Sequence, residues 1–120
     1  MSEQPLNLKP GTKAFALRII RLYSRLARNG TIAQALGMQV LPSGSSVSAN
    51  YREASRGRSK AEFISKIGDG LKEIEETEYW LELLVDSGCF TTTRMDGLLD
   101  ETRQLIAVFT TLDKKAKGEG

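Results

Sequence analysis

Residues 59–88, SKAEFISKIGDGLKEIEETEYWLELLVDSG, decide the fold. Phe63, Ile67, Leu71, Ile74, Glu78, Leu81 and Val85 recur at steps of three and four, the period of one helix face, and Trp80 and Leu84 widen it. Ser59 stands three residues before Glu62, the spacing of a capping box in which the serine caps the backbone and the glutamate reaches back. Gly88 supplies the stop. No strand-period alternation competes here or elsewhere in the chain.

Reading outward, the same rhythm appears on both sides. Thr92 or Thr93 caps a following helix whose stripe is Met95, Leu98, Leu99, Thr102, Leu105, Ile106, Phe109 and Leu112. Lys114, Lys115 and Lys117 suit its C-terminal dipole. Upstream, Thr31 is the expected N-cap of a helix with the seam Leu36, Val40, Ser43, Val47, Asn50 and Ala54, closed by Gly57. Pro42 lies inside that run, which predicts a kink near Met38 to Pro42; two shorter helices around a Pro-Ser-Gly turn are the alternative. A first helix spans about Thr12 to Asn29, with Ala16, Ile19, Ile20, Tyr23, Leu26 and Ala27 on one side, Phe15 and Leu22 at its edge, and Gly30 as its left-handed stop. The expected architecture is all-α: an up-down-up-down antiparallel four-helix bundle over residues 12–117, kinked at Pro42, with a loose arm at 1–11 and a frayed tail at 118–120.

Composition narrows the chemistry. At 120 residues, 40% apolar and 27% charged, the chain suits one globular domain. The absence of histidine removes the commonest general base and the usual zinc ligand, so no enzyme activity, metal or cofactor is expected. A ferritin-like di-iron centre would need Glu-x-x-His pairs and fails on the same ground. The single cysteine, Cys89, fits a reducing cytoplasm, and Arg18 and Arg21 interrupt the only apolar stretch near the start, so neither a signal peptide nor a membrane span is expected. Net charge is +2, but residues 1–60 carry +8 and residues 61–120 carry −6. That imbalance points to an electrostatic partner, either a polyanion or the acidic half of this chain or of another copy.

Arg18, Arg21, Arg25 and Arg28 fall within about 80° on the first helix and form a cationic edge about 15 Å long. Arg52, Arg56, Arg58 and Lys60 form a second basic cluster that would extend it. Three readings stay open: a solvated face, pairing with another copy's acidic third helix (Glu73, Glu75, Glu76, Glu82, Asp86), or tracking of nucleic-acid phosphates. A solvated face usually mixes signs, and this helix contains no acid.

Two polar residues, Asn50 and Glu78, occupy seam positions. A buried carboxylate needs a partner, for which Arg52, Arg56 and the Asn50 amide are candidates; a register-fixing polar pair is the plain reading and a catalytic carboxylate the sharper one. Tyr51 and Trp80 read as core or interface aromatics rather than base-stacking platforms. Cys89 follows a helix C-terminus, whose dipole disfavours the thiolate, so it reads as inert. Gly68-Asp69-Gly70 admits close approach of another backbone, and neither it nor Ser43-Gly44-Ser45-Ser46 is a phosphate loop.

The stretch Ser46 to Phe63 carries a family resemblance. Ser46, Val47, Asn50, Glu53, Arg58, Ser59, Glu62 and Phe63 match the signature of the four-helix-bundle family encoded in intervening sequences of bacterial large-subunit ribosomal RNA genes. Leu81-Glu82-Leu83 followed by Gly88 is also similar to that family. Tyr51, Arg52 and Ala54 replace its usual Ile, Ala and Gly, and Pro42 stands where an arginine is common. The resemblance implies a non-enzymatic, ring-forming homopentamer. It also implies a kinship with the accessory variability determinant of diversity-generating retroelements, which binds nucleic acid and a reverse transcriptase. Together these readings point to an RNA- or DNA-binding homo-oligomer acting through its arginines. The alternative is a protein–protein scaffold whose cations are used in subunit contacts.

Overall fold

A computed structural model describes residues 8–118. They form four helices, α1 (Leu8–Leu26), α2 (Thr31–Ser55), α3 (Lys60–Asp86) and α4 (Thr92–Ala116), with no strand among the described residues. The helices assemble as a bundle of 45 × 26 × 22 Å. α1 packs on α2, α2 on α3 and α3 on α4, whereas α1 and α4 make no comparably close approach.

α1 begins four residues earlier than the apolar rhythm indicated. Pro10 is its third residue, where the missing N–H belongs to a group of amides that have no helical acceptor anyway. Residues 8–11, expected in the arm, are therefore helical, and the rest of the expected arm and the last two residues lie outside the described residues. The buried line of α1 is Thr12, Phe15, Ile19, Leu22 and Leu26. Phe15 and Leu22, expected at the edge, are central, and Ile20 is 44% exposed. The helix carries two apolar stripes, and a single averaged direction falls between them. The core takes the stripe with the larger side chains.

α2 runs unbroken through Pro42, which excludes the two-helix alternative. The proline is exposed, and its missing N–H withholds one backbone bond from the Met38 carbonyl. Val40, Ser43, Val47 and Ala54 are buried as expected, together with Gly37 and Gly44. In α3, Ile67, Ile74, Leu81 and Leu84 are fully buried, as are Met95 and Phe109 of α4. The Thr77 hydroxyl lies 3.0 Å from the Ser43 hydroxyl and 2.7 Å from the Glu73 carbonyl, so this buried polar contact between α2 and α3 is satisfied.

The ends follow capping chemistry, with small departures. Gly30, not Thr31, occupies the N-cap of α2; its φ of 106° with ψ of 174° is an extended conformation open to glycine, not the left-handed helical one. Ser59 caps α3 by accepting the Glu62 N–H at 3.1 Å, but the Glu62 carboxylate accepts from Arg58 N–H at 2.7 Å, one residue earlier than a capping box requires. Gly88 has φ 82° and the Phe90 N–H donates to the Leu84 carbonyl, a Schellman-type stop. Thr91, rather than Thr92 or Thr93, caps α4 by accepting from the Arg94 N–H.

Two glycines set interhelical distance. A Cβ at Gly44 would lie 2.7 Å from Ile19 Cγ1 and 2.9 Å from its Cγ2; one at Gly70 would lie 2.8 Å from Phe109 Cε2. The close approach at Gly70 is thus by a ring, not by a backbone, and Gly68 meets nothing within 4 Å. Gly44→Ala is expected to lower stability by about 1–2 kcal/mol in urea unfolding, because overpacking a fully buried branched side chain outweighs the helix-propensity gain. Gly68→Ala is expected to raise it by about 0.5–1 kcal/mol. Equal signs for the two would contradict this packing.

Candidate nucleic-acid interface

The arginine edge of α1 turns toward α4. Arg18, Arg21 and Arg25, with Leu22, line one wall of a cleft of about 250 Å³; Phe90, Arg94, Met95 and Leu98 line the other. Four guanidinium groups thus stand around a floor of buried apolar side chains, and no acid lines the cleft. Arg94 lies over the Phe90 ring, 4.9 Å from its centroid, a cation–π contact that holds it at the rim.

One of the four is neutralised inside the chain. Arg18 pairs with Glu101 of α4, so this guanidinium finds its anion in the acidic half of its own chain. Its guanidinium passes over Gly97, where a Cβ would lie 3.4 Å from Arg18 Nη2, an ordinary contact distance. Arg21, Arg25 and Arg94 have no ion pair among the described residues. Arg28 lies past the end of α1, outside the cleft, and its Nε–H donates to the Ser24 carbonyl at 3.4 Å. Beyond the Arg18–Glu101 strap the seam opens into a second hollow, of about 460 Å³, where Asp100 and Glu101 replace the arginines. The seam therefore changes sign along its length.

The second basic cluster does not extend this edge. Arg28 precedes α2 and Arg56 follows it, and the 25 residues between span about 37 Å. Arg52 is half-buried in the last turn of α2, Arg56 is its C-cap, Arg58 lies in the connection and Lys60 opens α3.

The family-signature residues have structural work. Ser46 donates its hydroxyl to the Pro42 carbonyl at 2.6 Å. Asn50 is half-buried beside Gly70. Glu53 pairs with Lys66 at 2.9 Å, and that hydrogen bond, reinforced by the carboxylate charge, holds the Lys66 ammonium above its usual range. Ser59 and Glu62 form the cap described above. Glu78 is paired, but with neither Arg52, Arg56 nor Asn50: Arg103 of α4 donates to it at 2.8 Å and to Glu82 at 3.1 Å. Arg103 is raised above its usual range by these two hydrogen bonds. The adjacent-helix expectation failed because α3 packs on two neighbours and Glu78 leans to the α4 side. Tyr51 packs against Phe109 with centroids 6.1 Å apart, a core contact, and Trp80 meets Tyr79 edge-on at 5.1 Å.

Sequence reasoning missed Arg94, Glu101 and Arg103. Arg94 had a signal: it sits in the first turn of a helix, where the dipole disfavours a cation, so its position needs another reason. Glu101 and Arg103 have none, since each is one of many charged residues on a helix surface.

The fold and this cleft define a small helical bundle with a cation-lined seam between its first and last helices. The chain belongs to the 23S rRNA-intervening sequence protein family, whose model matches residues 6–111. It is similar to a solved protein of unknown function from the S23 ribosomal protein family of Bacteroides thetaiotaomicron VPI-5482. That likeness has 34% identity and a TM-score of 0.82, and it covers 88% of this chain and 97% of that one. No curated protein matches the chain. Among the described residues, no helix is long and apolar enough to cross a membrane.

Of the acids considered as partners for the arginines, Glu82 is already taken by Arg103, and Glu73 is raised above the ordinary carboxylate range by burial and then by neighbouring Glu76. In acid the Glu73 carboxyl is protonated whether the chain is folded or not. As pH rises through the ordinary carboxylate range the unfolded chain ionises first, so the fold loses stability until Glu73 ionises in it too. Glu73→Gln is therefore expected to raise the melting temperature at about pH 7 and to leave it unchanged at about pH 3. A thermal melt series over pH checks this; an equal change at both pH values would contradict it.

Proposed function

We propose that this protein is a non-enzymatic, homo-oligomeric bundle that binds nucleic acid through the α1–α4 cleft. The observation that carries the reading is that Arg21, Arg25 and Arg94 converge on one cleft without an acid along its walls. Holding like charges together has an electrostatic cost that a polyanion relieves, and each phosphate contact releases condensed counterions. Ring closure through head-to-tail contacts suits a chain whose halves carry opposite charge, and five copies is the number its family resemblance implies. The protein acts in the cytoplasm, where its lone thiol stays reduced.

The helices follow an up-down-up-down antiparallel order in this reading. Supporting it, Leu26 meets Gly37 while Ile19 meets Gly44, and Asn50 meets Gly70 while Ser43 meets Thr77, so partner numbers fall on one helix as they rise on the next. α2 bends at Pro42, where one backbone bond is absent.

Fluorescence anisotropy with a long single-stranded RNA over a salt series tests the binding. Replacing Arg21, Arg25 and Arg94 by alanine is expected to flatten the log–log salt slope by about 2 and to leave helix content unchanged. Glu101→Gln, which releases Arg18, is expected to steepen it by about 0.7. No binding by nucleic-acid-free protein at low salt would overturn the proposal. A triple variant that binds normally would overturn the cleft.

A further inference from the structure

From Asn29 to Tyr51 the chain has no charged residue, although most of α2 lies in that stretch and one side of it is exposed. Met38 is 61% exposed on that outer side. Ile20 and Leu17 of α1 are 44% and 41% exposed, and they lie on the flank of α1 away from its buried line. Tyr23 joins the two helices: its ring lies 3.2 Å from where a Cβ of Gly37 would stand. Three hydroxyls on this surface already donate within their own helix: Ser45 to the Leu41 carbonyl at 2.7 Å, Ser46 to that of Pro42, and Ser24 to that of Ile20 at 3.2 Å. The result is an uncharged pad, rich in small and apolar side chains and interrupted only by neutral polar ones such as Gln34 and Gln39. At about 37 Å long and two helices wide it offers about 700 Å², close to the ~800 Å² each partner gives to a standard interface.

The occupant follows from charge. A polyanion finds no cation on the pad, and a membrane-surface helix would set lysines or arginines beside large apolar groups. A helical protein surface remains. Among the described residues a counterpart lies on α3, where Tyr79 is 54% exposed and stacks edge-on with Trp80, beside Lys72 and the two acids Glu75 and Glu76, so that the edge is acidic on balance. The pad is rimmed by cations, Lys13 and Arg52 towards one end and Arg28 towards the other. Pad against pad would oppose those cations to one another and leave Tyr79 in water. Pad against the α3 edge buries both apolar surfaces and sets cations opposite acids.

We propose that the uncharged α1–α2 face receives the Tyr79–Trp80 edge of a second copy of this chain. The inference rests on the homo-oligomeric part of the reading above and names its two surfaces; the cleft arginines take no part.

Sedimentation equilibrium of the full chain and two variants, Met38→Glu and Tyr79→Glu, tests it. Both residues are exposed, so circular dichroism should show unchanged helix content, and Ala49→Glu serves as a second variant on the pad. Each variant alone should fall to the 13.2 kDa of one chain. An equimolar mixture of Met38→Glu and Tyr79→Glu should pair to twice that mass and go no further, because each supplies the surface the other lacks. Either variant keeping the wild-type assembly, or a mixture that stays single, would overturn this pairing while leaving a homo-oligomer standing. A wild-type chain of single mass would overturn both the pairing and the homo-oligomer, and RNA anisotropy would still judge the cleft separately.

Discussion

Ile19 resting on Gly44 is the contact on which the arrangement depends. A side chain at position 44 would hold the first helix off the second, and the buried line Phe15, Ile19, Leu22, Leu26 would lose its seat. With that line fixed against α2, the arginines of α1 have only one direction left, toward α4. The last helix is anchored elsewhere, by Phe109 over Gly70 and by Arg103 between Glu78 and Glu82, and so does not close on α1. The open seam and its cations are consequences of packing three pairs of helices tightly and the fourth side loosely.

Charge is sorted by the same geometry. Several acids of the second half are answered inside the chain: Glu101 by Arg18, Glu78 and Glu82 by Arg103, Asp113 by Lys117. These pairs are largely exposed and contribute little stability individually, but each removes a guanidinium or carboxylate from the set that can meet a partner. Among the charges left over on the described residues, Arg21, Arg25 and Arg94 gather at the cleft, while Lys72, Glu75 and Glu76 surround the exposed Tyr79 and the half-buried Trp80.

The four helices were legible because their apolar spacing is long and regular, and so were the Ser59 cap and the Gly88 stop of α3, whereas Gly30, read as a left-handed stop for α1, caps α2 instead. The core of α2 was readable from Val40, Ser43 and Val47. The orientation of α1 was not: Ile20 and Tyr23 obey helical spacing as well as Phe15 and Leu22 do, and only the neighbour's glycines decide between the stripes. Half of the site was legible, since Arg21 and Arg25 stand out as an acid-free row. Arg94 and Glu101 come from a distant part of the chain, and apart from the unfavourable place of Arg94 in the first turn of a helix nothing local says which charges α4 presents to α1. The basic run from Arg52 to Lys60 misled, because proximity in sequence to α2 concealed a separation of a whole helix length.

In the proposed binding the cleft guanidinium groups meet an external anion and the strapped ones do not. Side-chain Nε–Hε resonances of arginine, followed by NMR as a short oligouridylate is added, report on this residue by residue. Shifts are expected at Arg21, Arg25 and Arg94, with Arg103 unmoved. Shifts confined to Arg52, Arg56 and Arg58, or none at saturating oligonucleotide, would contradict it.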